Sequence, residues 1–440
     1  MVGSRRGLAL HLLMQGLPSH RRSLFMMRGD IRHSLVAPHP AHTPLPASEK
    51  EDHVRFQPKT KVMLGSAVVL SLSFGVTGTA HADYAPSGTD VVAIGGETPQ
   101  YNVNFAADGD TIGDLGYNAA NNVNKLVSFD ATADANGRAA YANGSTAAVP
   151  KPLTPSVVLR AGTSPVQRTT STGAGYSALL ADTGASPKIN FIRAANLPTA
   201  ANQTTAANNG WGFLHVVQIG TDPLQIVAAN GTHAPAGLSA AELVKIYNGT
   251  YTHWNEIPGN AAGSTNAILP LIPPNGSSIS KLLLADLKAA NGNVAITLGA
   301  NVLTVEQNDP GAITTSSSPL DAIAPFSIGR LNLWNSGYSK DPSVVFPGGP
   351  VLSPGVHALT GATPGGGAVY SNVNGLYVVF RQSDATIATP WQPGGTKNWV
   401  QTLFSSPTGT PYFKGAAGQA LVAAAGGIPG YVDLGNVSAG

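Results

Sequence analysis

Short apolar runs alternate with helical patterns from about residue 90 onward, and this alternation limits the possible folds more than any other feature. The run DVVAIGG ends on Gly95-Gly96 and precedes ETPQYNVNFAAD, a helical segment. STGAGYSALLAD and KINFIRAA continue as a helix and a strand, and DAIAPFSIGRLNLWNSG passes from a strand into a helix. Strand–turn–helix alternation of this kind predicts an α/β fold with largely parallel sheets.

Two segments in the middle of the chain carry more specific local signals. LSAAELVKIYNG predicts an amphipathic helix, because Ser239 and Glu242 have the spacing of a capping box. The runs FLHVVQIG and LQIVAAN flank Thr221-Asp222-Pro223, which predicts two strands joined by a hairpin-like turn. The chain has 440 residues, more than one α/β lobe usually needs, so we expect two lobes.

The chain carries few charges. Lys, Arg, Asp and Glu make up 11% of its residues, against roughly 25% in an average soluble protein. The net charge at pH 7 is +2 and no basic cluster follows residue 62, which argues against nucleic acid as a partner. There is no cysteine, which excludes disulfides and a lipid-anchored N-terminal cysteine.

A secretory signal peptide is predicted over residues 54–82. Two lysines precede an apolar run that starts at Val62, and the triplet AHA has the small–x–small layout of a cleavage site before Asp83. Residues 1–53 precede this signal, and we interpret them as a mis-assigned start or a disordered extension. The mature chain is therefore expected to be secreted, extracellular or periplasmic, with no stretch able to span a bilayer.

Three strand-to-helix turns combine small residues with hydroxyls. They are Gly95-Gly96-Glu97-Thr98, Ser171-Thr172-Gly173-Ala174-Gly175 and Asn275-Gly276-Ser277-Ser278. A helix N-terminus offers free N–H donors and a partial positive charge, and ligands of open α/β sheets bind at the carboxyl ends of the strands. If the three turns converge, they form a site for an anion or another polar ligand. If they do not, the same residues only cap helices.

The sequence shows no catalytic constellation. It has no G-x-S-x-G elbow, P-loop or H-E-x-x-H motif. His215, His233 and His253 are isolated, and no acidic pair is visible for acid–base chemistry. We therefore expect a protein that is not an enzyme and holds neither a metal ion nor a cofactor.

These segments resemble phosphate-binding-type solute-binding proteins of ABC transporters, which belong to the type II periplasmic binding protein family, in an actinobacterial-like branch. DVVAIGGETPQ is similar to the opening strand and turn of that family, and STGAGYSALLAD with INFIRAA is similar to its G-S-G-A-G-x-x-A-L and D-F-x-R-S-S segments. The most specific match is LSAAELVKIYNGTYTHWNEI. The motifs occur in order over about residues 83–340.

The resemblance implies an α/β, two-lobed type II periplasmic binding protein fold with a ligand cleft between the lobes. It places residues 83–215 and 336–440 in lobe 1 and residues 216–335 in lobe 2. The implied function is capture of phosphate or another small oxyanion or polar ligand, by a monomer that delivers it to an ABC permease. The implied ligand-binding residues are Gly96, Glu97, Thr98, Ser171, Thr172, Gly173, Arg193, Gly276, Ser277 and Ser278.

The chain departs from the family pattern at three places. Pro273 stands where phosphate receptors usually carry an arginine, and Ala194-Ala195 stand where a Ser-Asp or Ser-Ser pair is usual. Ile279 ends a turn that reads G-S-G-T in the family. These losses predict weaker phosphate binding through neutral donors. The arginines that could compensate are Arg160, Arg168 and Arg193.

Two other functions stay open. A secreted binding or adhesive surface protein that kept the fold and lost transport fits the altered turns and the missing lipid anchor. A phosphatase built on the same fold is the third hypothesis. Neighbouring permease and ATPase genes would favour transport, and release of phosphate from a chromogenic ester would favour the phosphatase.

Overall fold

The computed structural model describes residues 84–110, 114–121, 123–131, 156–169, 171–335 and 355–439. The predicted N-terminal extension (1–53) and signal peptide (54–82) lie outside these residues. The strands are β1 (Val91–Gly95), β2 (Leu126–Ser128), β3 (Ser156–Val157), β4 (Val166–Gln167), β5 (Phe191–Ala194), β6 (Leu214–Ala229), β7 (Leu269–Ile272), β8 (Leu303–Thr304), β9 (Ala322–Ser327), β10 (Val356–Ala358), β11 (Ser371–Arg381) and β12 (Ile428–Asn436). The helices are α1 (Gln100–Asp108), α2 (Tyr117–Ala120), α3 (Thr172–Ala181), α4 (Ala200–Asn208), α5 (Ala240–Tyr247), α6 (Ser278–Ala290), α7 (Pro310–Thr314), α8 (Ile328–Asn335), α9 (Gln382–Ala385), α10 (Trp399–Leu403) and α11 (Ala416–Ala424).

Ten of the described strands form one mixed sheet. Its hydrogen-bonded order is β2-β1-β5-β11-β6-β9-β7-β8, and β10 and β12 also pair with β6. The strands β2, β1 and β5 form one parallel group, and β9, β7 and β8 form a second. The two groups are joined by β11 and β6, which are antiparallel to each other and to β5 and β9. The predicted α/β class is confirmed.

The two parallel groups fall on either side of the predicted lobe boundary. The first group lies within residues 83–215 and the second within residues 216–335. Strand β6, however, runs without a break from Leu214 to Ala229, so it crosses residues 215–216. The positions of the lobe boundaries therefore stay a prediction.

The hairpin predicted at Thr221-Asp222-Pro223 is wrong, because these residues lie inside β6. Strand β11 pairs with β6 on one side over residues 214–225. On the other side, β12 pairs with residues 215–221 and β9 with residues 224–228. Pro223 lies between these two stretches, where a missing backbone N–H is tolerated within a strand. A change of neighbouring strand thus has the same local sequence signal as a turn.

The caps that the sequence predicts are present. Ser239 Oγ accepts a hydrogen bond from the Glu242 backbone N–H (3.3 Å), and the Glu242 carboxylate accepts one from the Ser239 N–H (2.6 Å). Ser277 Oγ accepts from the Ser280 N–H at 3.1 Å, which starts α6. These bonds satisfy N–H groups that a helix start leaves without a partner inside the helix.

Strand β1 is buried on both faces. Val91 and Ala93 pack in one apolar cluster, and Val92 and Ile94 pack in another. Successive side chains of a strand point to opposite faces, so both faces of β1 are covered. This packing holds the carboxyl end of β1, and the Gly95-Gly96 turn that follows it, in a defined position.

Candidate functional site

The helix starts that follow the two parallel groups meet each other. Thr98 follows β1 of the first group, and Ser278 begins α6 after β7 of the second group. Their side-chain oxygens lie 3.2 Å apart although the residues are 180 positions apart in the sequence. Both side chains are buried. Two of the three predicted turns therefore converge at carboxyl ends of strands, where open α/β sheets bind ligands.

The segment between β8 and α7 contributes two amide side chains to the same place. Gln307 donates from Nε2 to Thr98 Oγ1 (3.0 Å) and to Glu97 Oε2 (2.9 Å). Asn308 donates from Nδ2 to Glu97 Oε2 (2.7 Å), and its Oδ1 accepts from the Ser327 N–H (2.9 Å). The φ of Asn308 is 56°, a left-handed conformation that asparagine adopts more readily than most residues. Asn308 thus ties the turn after β1 to the end of β9.

Arg330 of α8 forms an ion pair with Glu97. Its Nε lies 3.0 Å from Glu97 Oε1, and its guanidinium carbon lies 3.8 Å from the centroid of the Tyr101 ring. The two charged side chains are 2% and 3% exposed. Charges buried to this degree persist only when they are paired and hydrogen-bonded, so each requires the other.

A second carboxylate, that of Asp222 in β6, lies near this ion pair. It accepts hydrogen bonds from the Ser327 hydroxyl and from the Gly329 N–H, the latter at 2.8 Å. Burial raises the pKa of Asp222 to about 6, although both hydrogen bonds act to lower it. The charge of Glu97 raises this pKa further, whereas that of Arg330 lowers it. The protonation of Asp222 thus depends on the charges around Glu97.

The third predicted turn packs against the first. Thr172 Oγ1 accepts from the Ala195 N–H at 3.1 Å, and a Cβ added at Gly96 would lie 2.6 Å from that same oxygen. Gly96 therefore lets α3 approach the turn closely. Ser171 caps α3 through a hydrogen bond from the Ala174 N–H (3.2 Å). A Cβ added at Gly173, the predicted glycine of this turn, would meet Ser171 Oγ at 3.8 Å and no other described atom within 4 Å beyond its chain neighbours and its own helix.

Arg193 is fully buried beneath the Gly96 turn. It donates from Nε to the Gly96 carbonyl (3.3 Å), from Nη2 to the Phe129 carbonyl (2.6 Å) and from Nη1 to the Ser128 hydroxyl. Burial lowers the pKa of Arg193 to about 10. These bonds hold the turn after β1 against the end of β2.

Gly276, Arg160 and Arg168 make their contacts outside the cluster, which consists of Glu97, Thr98, Asp222, Ser278, Gln307, Asn308, Ser327 and Arg330. Gly276 has a φ of 95°, which places it in the left-handed region before the Ser277 cap. Arg160 donates to the Asp90 carbonyl and to Asn190 Oδ1, both at 2.6 Å, beside the start of β1. Arg168 donates to the Asp130 carbonyl at 3.1 Å.

Sequence reasoning missed several residues of the cluster. A weak signal exists for one segment, since Asp309 caps α7 and Pro310 opens it, a pattern that marks a helix start. No local sequence signal indicates that Gln307 and Asn308, just before Asp309, reach the turn after β1. The cluster residues without a predicted role are Asp222, Gln307, Asn308, Ser327 and Arg330.

Among the described residues, no group of three or more His, Cys, Asp or Glu side chains is arranged to hold a metal ion. In the same part of the chain, no helix combines the length and the apolar character needed to cross a membrane.

Residues 131–346, just under half of the chain, match the family model of the PBP superfamily domain. Similar solved structures include an ABC-type phosphate transport receptor from Vibrio cholerae, at 12% identity and a TM-score of 0.42, over 78% of this chain and 100% of that one. A putative phosphate ABC transporter substrate-binding protein from Clostridium perfringens, with bound phosphate, has 12% identity and a TM-score of 0.43, over 77% and 99%. A phosphate-binding protein from Stenotrophomonas maltophilia has 12% identity and a TM-score of 0.41, over 77% and 90%. No curated protein matches the chain.

Proposed function

We propose that this chain, whose residues 131–346 match the model of the PBP superfamily domain, is a secreted solute-binding protein. The family match supports the predicted family, and the mixed sheet confirms the predicted α/β class. The proposed ligand is phosphate or another small oxyanion or polar solute, held where the two parallel groups meet and passed by a monomer to an ABC permease. The proposed role is binding rather than catalysis.

One observation carries this proposal: the buried contact of 3.2 Å between the Thr98 and Ser278 hydroxyls. These hydroxyls stand at the starts of α1 and α6, which follow different parallel groups. Backbone N–H groups and hydroxyls at two neighbouring helix starts are suited to bind an oxyanion or a polar group. A ligand that enters here exchanges the contact between the hydroxyls for contacts to itself.

The strength of such a site follows from its neutral donors. A typical hydrogen bond contributes about 1 kcal/mol net, and bonds to charged groups contribute roughly twice as much. Because Pro273 stands in place of the family arginine, we expect phosphate to bind at least roughly tenfold more weakly than at a site with that cation, at about 1.4 kcal/mol per tenfold.

Binding can be tested on the purified full chain. A thermal-shift screen of phosphate, sulfate and small neutral solutes identifies a ligand, and calorimetry then measures its affinity. Thr98→Ala and Ser278→Ala should each weaken binding roughly fivefold, the effect of losing about 1 kcal/mol. Thr410→Ala removes an exposed hydroxyl elsewhere and should leave the affinity unchanged. If a ligand binds and both cluster variants retain full affinity, the ligand site lies elsewhere.

A second candidate is a secreted binding or adhesive protein that kept the fold and lost transport. Two observations favour this second candidate. The Thr98 and Ser278 hydroxyls already contact each other, and the Gln307 and Asn308 amides already donate to Glu97, so these donors have acceptors within the chain. Uptake of the identified ligand by cells with and without the gene separates the two candidates. Loss of uptake in the deletion strain supports transport, and unchanged uptake supports the second candidate.

A further inference from the structure

The Glu97 carboxylate has the surroundings of a bound oxyanion. Its Oε2 accepts from the Gln307 amide (2.9 Å) and the Asn308 amide (2.7 Å), and its Oε1 faces Arg330 Nε (3.0 Å). All four side chains are at most 6% exposed. Amide donors and a guanidinium around two carboxylate oxygens are what a protein offers to a small buried anion.

This carboxylate also lies next to the proposed ligand contacts. Gln307 Nε2 donates both to Glu97 Oε2 and to Thr98 Oγ1, and Thr98 in turn contacts Ser278. The anion position and the two hydroxyls are therefore parts of one hydrogen-bonded cluster. A solute that replaced the contact between the hydroxyls would lie close to a fixed negative charge.

Glu97 shares the compensation of the buried positive charges with Asp130 and Asp222. The hydrogen bonds from Arg193 to Gly96, Ser128 and Phe129 reach neutral acceptors, so its charge is compensated at longer range, first by Asp130 and then by Glu97. Arg330 pairs directly with Glu97 at 3.0 Å, and Asp222 interacts with this pair at longer range. Removing Glu97 therefore takes away the carboxylate that faces Arg330 Nε, which is the place that a small anion can fill.

We propose that the Glu97 carboxylate is a built-in anion that fills the oxyanion position of this site. The protein then selects polar solutes without a full negative charge and takes phosphate or sulfate only weakly. This inference rests on the proposed function, since it names the ligand class of the same site. The chemistry that excludes anions is like-charge repulsion in a buried place, where charges are screened little.

The main test removes the Glu97 carboxylate and supplies formate, a small free carboxylate, in its place. Glu97→Ala should be less stable than the wild type, and sodium formate should restore stability by occupying the same position. A three-atom anion at the best known efficiency binds with a dissociation constant of about 1 mM. Formate at about 100 mM should then raise the melting temperature by about 3 °C relative to sodium chloride.

Matched variants decide what the shift means. Glu97→Gln keeps the volume of the side chain and should respond to formate no more than the wild type does. Adding Arg330→Met to Glu97→Ala removes the cation and should abolish the response. If Glu97→Ala folds and formate stabilises it no more than chloride does, the inference is overturned. This outcome is independent of the natural solute, so it is distinct from failure of the proposed function.

A second measurement applies whether or not Glu97→Ala folds. Neutralising the carboxylate in Glu97→Gln should tighten phosphate binding by roughly tenfold or more over the wild type, since about 1.4 kcal/mol of repulsion corresponds to tenfold. If the wild type binds phosphate at submicromolar concentration and Glu97→Gln binds it no more tightly, Glu97 does not fill the anion position and the inference fails.

Discussion

Arg193 should stabilise the fold through three hydrogen bonds, and Arg193→Met tests this. The guanidinium is fully buried and donates to the Gly96 carbonyl, the Phe129 carbonyl and the Ser128 hydroxyl. Methionine fills much of the same space but donates nothing, so these acceptors lose their partner. A buried acceptor left without a donor costs about 1–3 kcal/mol.

The total cost of Arg193→Met should be smaller than three full penalties for a buried acceptor without a donor. Ser128 and Phe129 also line a surface pocket, so water can replace the guanidinium there, whereas the Gly96 carbonyl lies in the buried turn. Removing a desolvated charge also returns part of the loss. We therefore expect Arg193→Met to lower the free energy of unfolding by about 2–4 kcal/mol.

Urea denaturation of the purified protein measures this change, with an unchanged m-value as evidence that the unfolded state is the same. Lys188→Met replaces an exposed cation on the same part of the chain and should change the free energy of unfolding by less than about 0.5 kcal/mol. If Arg193→Met matches the stability of the wild type within that margin, Arg193 does not support the turn and is free to act on a ligand.

Two further predictions concern pH and backbone geometry. His215 Nε2 lies 2.6 Å from an Asp433 carboxylate oxygen. Burial lowers the pKa of His215, but its hydrogen bonds raise it more, so the pKa lies above the ordinary 6.5. Its contribution to stability is therefore present below pH 6.5 and is lost as the pH rises through the raised pKa. Burial raises the pKa of Asp433, but its hydrogen bonds bring it below 3.8, so its contribution is lost as the pH falls through the lowered pKa. Melting temperatures of the wild type and His215→Gln should therefore differ most between pH 3.8 and 6.5, and a difference that is constant with pH would contradict this. Gly95→Ala should prevent stable folding, because Gly95 has a φ of 124° and an added Cβ would lie 2.3 Å from the Arg193 carbonyl oxygen; circular dichroism of the variant checks this, with Gly184→Ala, in open space, as control.

Much of the fold could be predicted from the sequence, because the deciding interactions are short-range. The capping box of α5 joins residues three apart, Ser239 and Glu242, and its side-chain chemistry is visible in the letters. The apolar run of β1 and the glycines that end it indicate a buried strand and a sharp turn in the same way. The α/β class then follows from repetition of such local units.

The sequence predicted some residues of the site but not their contact. Hydroxyls at helix starts predicted Thr98 and Ser278 as donors, but only the order of strands in the sheet brings the two side chains together. Strand β6 shows that a local signal can also mislead. Pro223 suggested a turn, but β6 continues through it and only changes its neighbouring strand from β12 to β9.

The partners of Glu97 belong entirely to the tertiary structure. Gln307 and Asn308 lie 210 and 211 residues away from it in the sequence, and Arg330 is farther still. A sequence shows which side chains are able to donate or accept, but burial and charge pairing depend on which strands lie side by side. Residue type alone therefore marks Glu97 as a charge beside a ligand turn, and only the packing of the two parallel groups makes its carboxylate a buried anion with partners of its own.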